Sequence, residues 1–431
     1  MFLRSSDDQF VLFPGGRLQV DGYAWKRDTE KMPNDTFLIR RARVEMFGWI
    51  GPWFGFNIAG DFALPPAGAA DPIGQAWQNT TDDYVMIAPF KNLAMLQVGQ
   101  FDAPFTLENR TSDKYFDFME RSLTVRAFGI PTNKEVGSMI HGVLPNSIAY
   151  YSLGVFNGDG QNFKNVDADF DLMGRAWISP AALANLSALE GAEIGASFWA
   201  GKRGATGLPL SPLTTQGGFA FSELKGTSVP TAASATGKPL EVHQHGNLTA
   251  FALELNLPLV HRYGLRVEYV HKNQELGIDD ISQISSGKLT PLSTAKRSGW
   301  SAYGELWWWA VGDDTIIGAP GLQLPPRLKA FSTETPRHGL MFAARLERLD
   351  TQLTSNMPLG VASVGTNATS GETAVTSFEV GVNYWYSKRF RATLNYVHNH
   401  FDGTSQGIKN AVAKNGSSGE DEFLARLAVA L

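Results

Sequence analysis

Phe390-Arg391-Ala392-Thr393-Leu394-Asn395-Tyr396 puts Phe390, Ala392, Leu394 and Tyr396 on one face and Arg391, Thr393 and Asn395 on the other. That two-residue period belongs to a β-strand, because successive side chains of an extended backbone point to opposite faces. The pattern recurs along the chain. Tyr263, Leu265, Val267 and Tyr269 oppose Arg266, Glu268 and Lys272, and near the C-terminus Phe423, Leu427 and Val429 flank Arg426. No apolar run reaches the ~20 residues that a membrane-spanning helix needs, and no long stretch shows the helical period.

Composition points the same way. The 431 residues include 44 glycines, are 11% aromatic and only 18% charged, and strand-like segments continue from end to end without a linker. One large sheet accounts for this better than several domains. Alternation alone fits a soluble sandwich as well as a transmembrane barrel. Two features favour the barrel. Trp49, Trp53, Phe54, Trp177, Trp199, Trp300, Tyr384 and Tyr386 lie near turns, where aromatic girdles meet the membrane interfaces. Short connections at Gly51-Pro52, Lys91-Asn92, Pro145-Asn146 and Ser387-Lys388 alternate with long ones near 64–81, 100–135, 202–245, 275–296, 351–375 and 400–421, as in barrels with short periplasmic turns and long outer loops.

The chain is therefore expected to be all-β, a single transmembrane antiparallel β-barrel over 1–431 with about sixteen strands. The expected spans are 16–26, 36–50, 53–63, 82–90, 93–101, 136–144, 147–157, 169–178, 191–201, 246–257, 263–274, 298–310, 338–350, 376–386, 389–400 and 422–431. Residues 311–336, with Pro320, Pro325, Pro326 and Pro336, form a long periplasmic connection in this scheme. The chain has no cysteine, hence no disulfide framework or thiolate metal site. A net charge of −5 argues against a nucleic-acid partner. Residues 1–8 lack the basic and apolar regions of a signal peptide, and since an outer-membrane protein must be exported, the chain is taken to be already processed or trimmed.

With the polar parity facing a water-filled lumen, the wall carries Arg17, Asp21, Arg41, Arg43, Glu45, Asp61, Asp171, Arg175, Glu193, Arg266, Glu268, Lys272, Glu305, Arg345, Glu347, Glu379, Arg391 and Arg426. Both signs are present, and many of these groups are expected to pair across strands. Arg40 falls on the lipid parity in Ile39-Arg40-Arg41-Ala42-Arg43. An arginine facing mid-bilayer costs about 2–4 kcal/mol, so Arg40 is expected either at a bulge that turns it inward or near an interface.

Three segments, Gly15-Gly16-Arg17-Leu18-Gln19-Val20-Asp21, the Arg40-Arg41 pair, and Thr111-Ser112-Asp113-Lys114 through Glu120-Arg121-Ser122-Leu123, resemble the phosphate-selective porin O and P family. The resemblance implies a sixteen-stranded, trimeric outer-membrane barrel whose third outer loop, here 100–135, folds into the lumen and narrows it. By that resemblance Arg40, Arg41 and Lys114 match basic residues lining a central anion site. The candidate constriction is Arg40, Arg41, Arg43, Asp61, Glu108, Arg110, Lys114, Glu120 and Arg121. For Glu108, Arg110, Glu120 and Arg121 the alternative is a purely structural role, tying the loop to the wall.

Two departures bear on selectivity. The loop after the ninth strand, Gly201-Lys202-Arg203-Gly204-Ala205, lacks the closely spaced arginines of phosphate-specific members, and the chain ends in Leu431 rather than an aromatic residue. The expected function is passive diffusion of small hydrophilic solutes, including inorganic anions, with an anion or phosphate preference. No cofactor or enzymatic activity is expected: the motifs of hydrolases, zincins and nucleotide-binding loops are missing, and the pairs His243/His245 and His398/His400 lie beside outer loops. Outer-membrane lipid and lipopolysaccharide are the expected surroundings. A homotrimer is implied, with Gly22, Ala24, Ala42, Gly48 and Gly60 on the outward parity allowing close packing. The alternative is a non-conducting scaffold whose Gly/Ser/Thr/Asn-rich loops, Gly360 to Glu372 and Gly403 to Glu420, look mobile and bind partners.

Overall fold

A computed structural model describes residues 2–7, 9–26, 33–63, 80–130, 133–167, 169–204, 210, 212–222, 240–280, 291, 293–313, 338–355, 371–387 and 389–430. Sixteen antiparallel strands close into a barrel. In chain order they are β1 (Phe10–Trp25), β2 (Thr36–Ile50), β3 (Phe54–Asp61), β4 (Asp83–Ile87), β5 (Met95–Asp102), β6 (Lys134–Val143), β7 (Ala149–Phe156), β8 (Asp171–Ile178), β9 (Glu193–Arg203), β10 (Leu240–Leu259), β11 (Tyr263–Asp280), β12 (Ser293–Val311), β13 (Gly339–Ser355), β14 (Gly371–Ser387), β15 (Phe390–Asp402) and β16 (Gly419–Ala430). Each pairs with its neighbours in sequence, and β16 returns to β1 in a ladder running from Glu422↔Trp25 to Ala430↔Arg17. Closure matters physically, because in hydrocarbon an open edge leaves N–H and C=O groups without partners at several kcal/mol each.

The two parities separate as the alternation requires. On β1, Arg17, Gln19, Asp21, Tyr23 and Trp25 are buried inside, while Leu18 and Val20 are exposed outside. Leu306, Leu346, Leu394 and Leu427 cover the outer surface of their strands. All the wall residues named above from Asp171 to Arg426 are buried inside the barrel. No helix among the described residues is long and apolar enough to cross a membrane; the strands do the crossing.

Three features depart from the sequence expectation. First, β10 to β14 run 17–20 residues, well beyond their apolar outward stretch. Their outer ends carry outward His271, Asn273, Glu275, Lys296, Arg348 and Asp350, so the ladder continues where the hydrophobic signal stops. Second, Trp177 and Trp199 are buried in the lumen rather than placed in a girdle, with Trp199 Nε1 donating to Asp171 at 2.7 Å. Trp53, Phe54, Tyr384 and Tyr386 are outward and exposed. Third, the segment 403–420 contains a helix, Gln406–Asn415, capped by Ser405, so it is an ordered inward element rather than a mobile loop. Of the expected periplasmic connection 311–336, residues 314–336 lie outside the described residues, as do 360–370 of the other loop thought mobile.

Candidate functional site

Residues 103–130, between β5 and β6, fold into the barrel, and nearly the whole run is buried. The segment carries its own apolar filling, Phe105, Leu107, Phe118, Met119, Leu123, Val125 and Phe128. It contains two short helices, α1 (Leu107–Arg110), capped by Thr106, and α2 (Leu123–Phe128), capped by Ser122. Wall carboxylates accept from the backbone at both helix starts. Glu268 takes the amides of Leu107 and Glu108 at 2.6 and 3.1 Å and the Tyr303 hydroxyl at 2.7 Å, and Glu347 takes the amide of Thr124 at 3.4 Å. Such contacts answer the unpaired N–H groups and partial positive charge of a helix start.

Side chains of β14–β16 hold the loop's carbonyls. Arg426 grips Asp21 through Nε and Nη2 at 2.7 and 2.6 Å while donating to the Met119 carbonyl at 2.5 Å. Asn383 donates to the Asp117 carbonyl at 2.6 Å, and Arg391 to that of Phe116 at 2.5 Å.

The loop's other flank faces β1–β3 across a compact set of charges. The register of β1 against β2 skips one residue, from Gln19↔Arg41 to Val20↔Ile39, so Arg40 is the extra residue of a bulge. The bulge turns it inward, where its Nε meets Glu120 at 3.0 Å. Arg41 Nε lies 2.7 Å from Asp113. Arg43 donates to Asp61 at 2.7 Å and reaches Asp113 at 3.4 Å. Arg17 bonds both Asp113 and Glu45, and Lys114 donates to Glu45 at 2.8 Å. Burial raises the carboxyl pKa of Asp113, but Arg17, Arg41 and Arg43 hold it well below the ordinary value. Glu120 is likewise depressed, with burial overcome by Arg40, Arg41 and Arg426.

Exposure sorts the expected constriction residues. The side chain of Arg40 is 40% exposed, those of Glu45, Asp61, Lys114 and Arg43 14–20%, and those of Arg41 and Asp113 only 5–6%. Arg41, Arg43, Asp61 and Lys114 thus join one network through Asp113, Arg17 and Glu45, and Arg40 pairs with Glu120 next to it. The other three sit elsewhere. Glu108 accepts from Ser122 N and Oγ at 2.9 and 2.5 Å and from Arg345 at 3.2 Å. Arg110 donates to the Asp102 carbonyl. Arg121 donates to the Thr111 carbonyl at 3.3 Å and lies over Phe116. All three are in contacts that hold the loop's shape.

Sequence reasoning missed Asp113, the hub of three arginines, although it lies in the segment that carries the family resemblance. It also missed a second inward element, the hairpin Leu213–Thr214 with Ala220–Ser222. Gln216 of that hairpin donates to Glu347 at 2.9 Å and Gly217 N to Glu422 at 2.8 Å, while Arg126 of α2 donates to the Gln216 carbonyl at 2.9 Å. Its Phe219 and Phe221 pack on Phe401. Only the short Phe219-Ala220-Phe221 alternation could have hinted at it. At the end of β9, Arg203 is occupied by Asp171 at 2.5 and 2.7 Å, and Lys202 is exposed 3.4 Å from Asp169. Among the described residues no group of three or more His, Asp or Glu side chains is arranged to hold a metal.

Residues 15–196 match the family model described as phosphate-selective porin O and P. No curated protein matches the chain. Among solved structures, the outer-membrane-expressed OmpT of Vibrio cholerae is similar at 9% identity with a TM-score of 0.53, covering 100% of both chains. The outer-membrane channel DcaP of Acinetobacter baumannii is similar at 10% identity with a TM-score of 0.51, covering 100% of this chain and 99% of its own. An anion-selective porin from Comamonas acidovorans is similar at 8% identity with a TM-score of 0.50, covering 98% of this chain and 100% of its own. At such identities the likeness is one of fold.

Proposed function

We propose that this outer-membrane barrel, whose residues 15–196 match the family model described as phosphate-selective porin O and P, is a passive porin for small hydrophilic solutes with a weak preference for anions. The observation that carries the reading is the inward loop itself: 103–130 lies inside the barrel and leaves charged groups on its β1–β3 flank. There Arg17, Arg40, Arg41, Arg43 and Lys114 face Glu45, Asp61, Asp113 and Glu120, a small surplus of cations. Paired charges of both signs favour a mild bias over strict phosphate selectivity, because guanidinium groups already bonded to carboxylates are poor substitutes for an anion's hydration shell. Arg203, the basic residue that ends β9, is likewise spent on Asp171. Solutes cross by diffusion, without cofactor or covalent chemistry. A homotrimer is part of the proposal, since an apolar groove of about 1040 Å³ crosses the outer wall past Gly22, Ala24, Phe37, Leu394 and Phe423, a surface suited to close lateral packing.

The test is the reversal potential of the purified protein in a planar bilayer under a KCl gradient, repeated with phosphate added and with Lys114→Glu. The expected result is a modest anion preference that Lys114→Glu abolishes or inverts, with little block by phosphate. A large current without ion preference would reduce the protein to a general porin. Complete absence of current would leave a scaffold.

A further inference from the structure

Arg391 and Trp385 stand directly opposite one another on β15 and β14, on the inward parity beside the short turn that joins the two strands. The guanidinium lies 4.8 Å over the Trp385 ring. Its Nη1 is fixed on the Phe116 carbonyl at 2.5 Å. Its other two nitrogens, Nε and Nη2, and the Trp385 indole Nε1 have no hydrogen-bond acceptor among the described residues, although Arg391 is 2% and Trp385 3% exposed.

Nε and Nη2 form one edge of the guanidinium, the pair of parallel N–H groups that matches a carboxylate in a bidentate contact. The neighbouring wall shows this edge in use. One strand away, Arg426 presents the same two nitrogens to both oxygens of Asp21 at 2.7 and 2.6 Å. Arg391 has no such carboxylate, and burying an ionised group with unmet donors is costly. Around it the surface is aromatic: Trp385 clusters with Trp307 and Trp309, and the partly exposed Tyr115 of the inward loop packs against this cluster.

We propose that this niche binds the carboxylate of a small organic acid with a flat apolar body. Two oxygens are received by the Nε/Nη2 edge, the indole N–H gives a third donor, and the body lies against the tryptophan faces once Tyr115 swings aside. The inference deepens the porin reading, on which it rests for the ligand's route to the niche, by naming organic acids as a solute class.

The probe is benzoate, with benzyl alcohol as the same ring lacking the carboxylate, titrated calorimetrically into the detergent-solubilised, folded barrel. Wild type is expected to bind benzoate and to ignore benzyl alcohol. Arg391→Gln should weaken binding at least tenfold. Arg391→Lys should weaken it nearly as much, since an ammonium keeps the charge and loses the two-pronged edge. Trp385→Phe, which removes the indole donor while keeping an aromatic ring, serves if the arginine variants do not fold and should weaken binding several-fold. No benzoate binding by wild type, equal binding of benzyl alcohol, or benzoate binding unchanged in these variants would overturn the site. KCl conductance measured on the same preparation is a separate readout: a silent bilayer with Arg391-dependent benzoate binding would remove the porin reading and leave the site standing.

Discussion

Arg40 shows how much one residue can depend on its register. In an unbroken strand its side chain would face lipid; the single-residue bulge against Gln19 and Val20 sends it to Glu120 instead. Arg40→Leu is expected to shift the reversal potential toward cations, because Glu120 then loses its most exposed partner, and the KCl-gradient measurement checks it. Gly99 is a second single-residue constraint. It sits at φ +135 in β5, and an added Cβ would lie 2.3 Å from the Asp83 carbonyl oxygen, so Gly99→Ala combines backbone strain with a backbone clash. A loss of at least about 1–3 kcal/mol is expected, read as a lower unfolding temperature of the detergent-solubilised barrel. On the lipid side, Leu394→Arg places a charge where the side chain is 62% exposed to the bilayer, and should cost about 2–4 kcal/mol if the position lies at mid-depth.

At the scale of elements, the inward loop is held by wall carboxylates more than by its own helices, which are one to two turns long. Glu268→Ala removes the acceptor shared by two amides and a tyrosine hydroxyl. The loop should then fluctuate, and the open-channel current should become larger and noisier. The depressed carboxyls of Asp113 and Glu120 bear on pH. A group whose pKa is lower folded than unfolded stabilises fully above its unfolded pKa, ordinarily about 4, and loses that contribution as pH falls through the folded value. These two anchors should therefore hold from pH 8 down to 5 and release only in stronger acid; hydrogen exchange of residues 113–120, corrected for intrinsic rate, checks this. An early loss of protection at pH 5–6 would show that other groups govern the loop. The loop's place was implied by the family resemblance carried by Thr111–Lys114 and Glu120–Leu123. Its contacts were not, since Glu268, Glu347 and Arg426 lie some 160 to 300 residues further along.

For the whole molecule, closure is the condition of stability. Removing β16 would expose the edges of β1 and β15 to lipid, so a chain ending before Gly419 should fail to give the compact, heat-modifiable form on electrophoresis. The closed wall also decides which polar groups can be buried. Arg345, 1% exposed, is surrounded by Glu108, Glu305, Glu347 and Glu379. Such a group is tolerable only because carboxylates converge on it from its own strand, both neighbouring strands and the loop.

The sequence by itself determined the barrel, its strand order and its two faces, because each follows from a period of two read locally, and the strand count from turns that punctuate that period. It also marked the inward loop, through a family resemblance carried by short contiguous segments. Only the tertiary structure decided which charges stay partly exposed beside the inward loop and which are spent on holding it, that Trp177 and Trp199 face inward, and that a hairpin and a helix pack inside the barrel. Those outcomes depend on groups far apart in the chain. Their meeting is set by ring closure and register, and a one-residue slip such as the bulge at Arg40 changes the face without changing the composition.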